Sequence, residues 1–252
     1  MPPASSAALS LAERPDNSLL ERLNFYFDVL VADTPALRRQ AHQIRYAVYC
    51  VETGFEDAAA FSDGLERDAF DTHAVHGLLV HKSTAQAVGT VRLVLPVKED
   101  LYHCFAVQGV TNHPAFGSSA FLPLASTAEV SRFCISRQFR RRANDTMYDE
   151  AETERIESRD RRSGPLMRLG LIQILIRMSV EHGITHWCAV MEPTLLRMLD
   201  AMAIRFTRHG PLVEHHGLRQ PCSCNIAEAL SAVRRERPEY WDVLTNAGKI
   251  AL

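Results

Sequence analysis

At 252 residues the chain has room for one large domain or two small ones, and its 46% apolar and 23% charged content is ordinary for a water-soluble globular protein. A net charge of −2 argues against a dedicated nucleic-acid binder. The six cysteines are scattered as expected of reduced thiols, no run reaches ~18 apolar residues, and the N-terminus makes a poor signal peptide, so a cytoplasmic protein without membrane insertion is expected.

Residues 1–22, rich in Ala, Ser and Pro, read as a flexible arm, and 23–252 as a single domain, since no repeat or linker follows. Leu23–Ala32 (LNFYFDVLVA) predicts the first strand. Asp33-Thr34-Pro35 then starts a helix in which Leu37, Ala41, Ile44 and Val48 form one apolar stripe, with Arg45 and Tyr49 beside it. An arginine at such a border usually snorkels outward.

Residues 52–71 (ETGFEDAAAFSDGLERDAFD) form a long acidic loop whose aromatic residues fit a lid, and its end sets Asp68 and Asp71 three residues apart. Ala74–His81 and Ala87–Pro96 make a hairpin that carries Arg92 mid-strand, in GTVRLVLP. A strand arginine there needs a carboxylate, and Asp68, Asp71 and Glu129 are the nearby candidates. A short helix is expected around 99–107 within an otherwise irregular stretch.

Ala128–Arg142 (AEVSRFCISRQFRRR) organises the rest. It begins as a strand, holds Glu129 and Arg132, and ends among arginines. Strict alternation puts Glu129 and Arg132 on opposite faces, so both can serve one site only if a bulge near Ser131 re-aims one of them. A salt-bridged edge strand is the plainer alternative. After a polar stretch, Pro165–His182 is a helix apolar nearly all round, then come a strand at 184–190, a helix from Pro193, late strands at 204–208 and 217–222, a helix at 226–235 and a short one near 240–245. His215 and His216 with Cys222 and Cys224 lack the second pair of a structural zinc site, so no metal is expected.

This order of elements resembles the GCN5-related N-acetyltransferase (GNAT) fold: α/β (α+β), with a mixed, mainly antiparallel sheet splayed at its middle and flanked by helices. The charged residues resemble more narrowly the acyl-homoserine-lactone and N-acyl amino acid synthases: Arg45 with Tyr49, Asp68 with Asp71, Arg92 in GTVRL, and Glu129 with Arg132 in EVSRF. The segments RYAVYCVETGFED, GLERDAFDTHAVH and STAEVSRFCISRQFRR are most similar to acyltransferases associated with the PEP-CTERM/exosortase system. Two features depart from these patterns: the tryptophan that lactone synthases place after the first helix is absent, Phe55 being the nearest large aromatic there, and 136–142 lacks the glycines of an acetyl-CoA phosphate loop.

The resemblance implies transfer of a fatty acyl chain from an acyl carrier protein or acyl-CoA thioester to the amine of an amino acid or similar acceptor. No bound cofactor is implied. Glu129 would act as general base or only position the amine, with Arg132 beside it. Arg45, Tyr49, Asp68, Asp71 and Arg92 would form the substrate-side ion-pair network, and the strand at Phe133, Cys134 and Ile135 would meet the pantetheine arm and the oxyanion. Arg137, Arg140, Arg141 and Arg142 suit an acidic carrier protein. A lactone-forming autoinducer synthase and a non-catalytic module binding acyl carrier protein are the alternatives.

Overall fold

A computed structural model describes residues 18–137 and 163–250. Ser18 opens helix α1 (Leu19–Tyr26) with a capping box: its hydroxyl accepts from the Glu21 amide, and the Glu21 carboxylate accepts from the Ser18 amide. The strand expected over 23–32 is therefore helical in its first half, and only β1 (Phe27–Val31) is extended. The aromatic run favours a strand locally, but the cap and the complete burial of Leu23 outweigh it.

Thr34 caps α2 (Pro35–Arg45) by accepting from the Leu37 amide, with Pro35 in the first turn. The helix continues as a π-helical turn, Tyr46–Glu52, whose extra residue per turn re-phases the side chains that follow Arg45. The hairpin is β2 (Ala74–His81) and β3 (Gln86–Val94). The helix expected at 99–107 lies later, as α3 (Ala106–Val110), because the Gln108 side chain caps the Phe105 amide, and α4 (Pro114–Gly117) follows. Then come β4 (Thr127–Ile135), α5 (Ser163–Glu181), β5 (His186–Met191), α6 (Pro193–Ala201), β6 (Thr207–Arg208), β7 (Val213–Glu214), β8 (Leu218–Asn225), α7 (Ile226–Glu236) and α8 (Pro238–Thr245).

The strands lie in the order β1-β2-β3-β4-β5-β8-β6, with β7 beside β8. Every pair is antiparallel except β4 and β5. Those two run parallel only from Thr127 opposite His186 to Glu129 opposite Cys188. Beyond Glu129 they part: β4 stays on β3 as far as Ile135, and β5 stays on β8 as far as Met191. The sheet thus opens into a wedge whose apex is Glu129.

Helix α5 covers one face, over β1 to β4, where Val91, Leu93, Ala128 and Val130 join its core. At Gly170 of α5 an added Cβ would come within 2.9 Å of Leu79 Cδ1 and 3.0 Å of Leu23 Cδ1, so this glycine serves close packing. Trp187 donates to the Ser179 hydroxyl at 2.9 Å, and the void beside it, lined by apolar side chains, is only about 10 Å³. The opposite face carries α2, the 52–73 segment and the 97–126 segment. The charged residues collect there.

Candidate active site

The re-aiming bulge exists, at Arg132. Thr90 faces Cys134 and Arg92 faces Ser131, so the single residue Val91 stands opposite both Arg132 and Phe133. Arg132 takes φ +51°, a left-handed conformation costing a non-glycine residue roughly 1–2 kcal/mol. In return its guanidinium joins the face that already holds Arg92, Ser131 and Glu129.

Three arginines and four carboxylates interlock on that face. Arg45, fully buried rather than snorkelling outward, donates Nε to Glu66 and its two terminal nitrogens to the Asp71 carboxylate, at 2.6 and 3.0 Å. Arg92, also buried, reaches Asp68 at 2.5 Å, Asp71 at 3.1 Å and the Ser131 hydroxyl at 3.0 Å. Arg132 bridges Glu66 at 2.9 Å, Glu56 at 3.0 Å and Asp68 at 3.2 Å. Asp68 and Asp71 are held in place by their own capping box.

The charges answer one another. Burial alone would raise the pKa of Asp71, but the hydrogen bonds and charge of Arg45, then Arg92, hold it well below the carboxylate range. Glu66 is likewise lowered by Arg45 and Arg132 against the effect of burial. Burial also opposes the charges on Arg45 and Arg132, yet their carboxylates more than compensate and raise both.

Glu129 is different. Sequence spacing made it a possible partner of Arg92, but among the described residues no arginine pairs with it. It is 3% exposed at the apex of the wedge and accepts from the Val107 amide at 2.7 Å. Burial pushes its pKa up to about 7, against that amide and the more distant Arg92. A carboxylate with this pKa exchanges protons at neutral pH, as a general base requires.

The neighbours of β4 are less reactive. Arg132 lies over the Tyr49 ring at 5.2 Å, and burial drives the Tyr49 phenol far above its usual pKa, so Tyr49 stays neutral. Cys134 packs against Ile44 and Val48, and burial raises its thiol to about 12, an inert cysteine. From Val130 to Ile135, among the described residues, β4 pairs with β3 and with no strand on its β5 side. Phe133 and Ile135 lie on this open stretch, whose backbone faces the wedge. The Glu52 carboxylate ends it by accepting from the Ser136 hydroxyl and the Arg137 amide. Arg137 is exposed; Arg140, Arg141 and Arg142 lie outside the described residues.

His42, Asp71 and His76 bring possible metal-ligating atoms within 4.8 Å of one another. They are poorly suited to an ion, because both Asp71 oxygens already accept from Arg45, one also from Arg92 and the other from the Asp68 amide. Burial and then Arg45 lower His76 to about 3, so it is neutral, 3.4 Å from Asp71. Cys222 and Cys224 are buried in β8.

Sequence reasoning missed Glu56, Glu66, Glu52 and His76. The signal for His76 lay in the hairpin register, which sets it opposite Arg92. Glu66 had none: an acid in an acidic loop looks solvated until two arginines bury it.

Residues 44–149 match the family model of the acetyltransferase (GNAT) domain. Among solved structures the chain is similar to TofI, solved in a ternary complex with an inhibitor and MTA: 18% identity over 82% of this chain and 96% of that one, TM-score 0.54. It is similar to BjaI, a CoA-dependent acyl-homoserine lactone synthase solved with SAM and isopentyl-CoA, at 17% identity over 90% of both chains and TM-score 0.54. FeeM, an N-acyl amino acid synthase from uncultured soil microbes, aligns at 15% identity over 82% of this chain and 94% of that one, TM-score 0.50. No curated protein matches in sequence. With the splayed, mostly antiparallel sheet and its flanking helices, the fold is GNAT-like.

Proposed function

We propose that this protein is an N-acyltransferase that moves a fatty acyl chain from a thioester to the amine of an amino acid or similar acceptor. The observation that carries the reading is Glu129: a buried carboxylate, pushed up to about 7, at the apex where β4 and β5 part. An α-amine titrates near ~8, so much of it is protonated at neutral pH and must lose a proton before it attacks.

The thioester lies along the open edge of β4, beside Phe133, Cys134 and Ile135. Glu129, directly or through a water, takes the amine's proton. The nitrogen attacks the carbonyl carbon, and backbone N–H groups of the open edge hold the oxyanion, each good donor contributing ~3–4 kcal/mol. Collapse breaks the C–S bond, and the departing thiolate takes up the second proton that the nitrogen sheds as it becomes an amide. An amide and a free thiol result.

The ion-pair network does not take part in bond making. It fixes the 52–73 segment over the wedge, which excludes water and pre-organises the acceptor side. The exposed Arg137, with the arginines that follow it in sequence, suits an acidic carrier protein as donor. The narrower assignment to the PEP-CTERM/exosortase-associated N-acyl amino acid synthases rests on the sequence segments quoted above.

Mass spectrometry of lipid extracts from bacteria expressing the protein, beside Glu129→Ala, tests the reading. N-acyl amino acids present with wild type and lost in the variant support it, and reveal acceptor and chain. An acyl-homoserine lactone would move the protein to the autoinducer synthases. Soluble protein with no acylated amine would favour a binding role, and product unchanged in Glu129→Ala would remove Glu129 as the base.

A further inference from the structure

The wedge needs a group to hold the acceptor, and its three network arginines are committed. Arg45 faces Glu66 and Asp71, Arg92 faces Asp68 and Asp71, and Arg132 faces Glu56, Glu66 and Asp68. A substrate carboxylate against any of them would meet two or three like charges at close range.

A fourth arginine stands on the other bank. Arg219 lies on β8, one residue before Gln220, which pairs with Met191 at the end of β5. Its side chain is 13% exposed, and its guanidinium lies 5.7 Å over the Phe55 ring. One terminal nitrogen donates to the His216 carbonyl at 2.8 Å. The other meets Glu192 at 2.6 Å, a carboxylate 51% exposed and its only one among the described residues. Burial lowers the pKa of Arg219, the reverse of Arg45 and Arg132, so its charge is less compensated than theirs.

The lid ties the two banks together. Glu56 bonds Arg132 on the β4 side and stands 3.7 Å from His216 Nε2 on the β8 side, while the Phe55 ring packs against both His216 (5.8 Å) and Arg219. The Arg219 fork is thus held in place by an aromatic face and a carbonyl, with a solvent-exposed carboxylate that a ligand can replace.

We propose that Arg219, seated on Phe55, receives the carboxylate of the acceptor amino acid, so that the enzyme selects amines that carry an adjacent carboxylate. The inference rests on the acyltransferase reading for the word acceptor, but its test does not need turnover.

Isothermal titration calorimetry of N-dodecanoylglycine and its carboxamide, against wild type, Arg219→Gln and Glu192→Gln, decides it. Wild type should bind the acid at least about tenfold more tightly than the amide, the preference expected for a bidentate charge-assisted pair over a neutral one. Arg219→Gln should bring the ratio near one with amide affinity kept, and Glu192→Gln, freed of the competing carboxylate, should bind the acid more tightly. If Arg219→Gln fails to fold, the Glu192→Gln result stands alone. Equal binding of acid and amide by wild type, no binding of either, or a preference that survives Arg219→Gln or is unmoved by Glu192→Gln would overturn the proposal. Acid preference without thioester consumption would sink the acyltransferase reading alone. Equal acylation of an amino acid and its amide would sink Arg219 alone.

Discussion

Replacing Glu129 with glutamine should make the protein more stable at neutral and alkaline pH while abolishing its chemistry. In the folded state this carboxyl has a pKa of about 7 against an ordinary 4.5, because it is buried. Between those values the folded chain keeps a proton that the unfolded chain has released, so the group's favourable contribution is fully present below about pH 4.5 and declines as pH rises through about 7. A shift of this size corresponds to about 3 kcal/mol. Glutamine keeps an oxygen for the Val107 amide and has no charge to bury. Urea denaturation of both proteins at several pH values from about 5 to 8 isolates the effect, since the ion-pair network is common to both. The stability difference should climb in favour of Glu129→Gln with rising pH and flatten above about 7. A difference that stays flat, or runs the other way, would show that Glu129 titrates as an ordinary carboxylate, and the general-base argument would fall with it.

Asp71→Asn leaves Arg45 and Arg92 buried beside a neutral group and should cost about 3–5 kcal/mol, read as a lowered urea midpoint with an unchanged slope. Because Asp71 and Glu66 are held below their ordinary pKa values, the stability they supply is present above their unfolded values and is lost as pH falls through the acid range; acid titration followed by circular dichroism should show this, and Asp71→Asn should flatten it. Arg132→Lys keeps the charge but not the fork that spans Glu56, Glu66 and Asp68, so acyl transfer should drop by tenfold or more, with single-turnover rates as the readout. Gly77→Ala would place a Cβ 2.5 Å from Ile174 Cγ2 and should cost about 1–3 kcal/mol by thermal melting. Gly170→Ala presses on the methyl ends of Leu79 and Leu23, with Val29 at ordinary contact distance, and gains helix propensity, so it should cost clearly less.

Much of the site was legible in the sequence because charges in strands are costly and so conspicuous. Arg92 and Arg132 stood out against apolar neighbours, and the alternation rule allowed Glu129 and Arg132 to share one site only through a bulge near Ser131, which the structure has at Arg132. Helix starts were legible where a cap and a proline coincide, as at Thr34-Pro35. Helix α1 was not: LNFYF has strand propensity, and the Ser18–Glu21 box that overrides it sits in a stretch that looks like a mobile arm. Glu66 and Glu56 could not be told from solvated loop acids, because only the tertiary approach of Arg45 and Arg132 pairs them. Arg219 was silent for the same reason, its partners Phe55 and Glu192 being far away in sequence. Glu129 was visible as general base or positioning group through the resemblance, but its burial without an arginine partner among the described residues was not, since the Val107 amide it accepts from comes from the distant 97–126 segment.

The most direct test of acyl transfer uses purified protein, a fatty acyl thioester and a mixture of amino acids, following free thiol and acylated product together. Thiol release that requires the amine, is matched by an equal amount of amide and rises with pH through about 7 is the result expected of Glu129 as base. No thiol release with either acyl-carrier-protein or CoA thioesters, or release that proceeds equally without any amine, would contradict it.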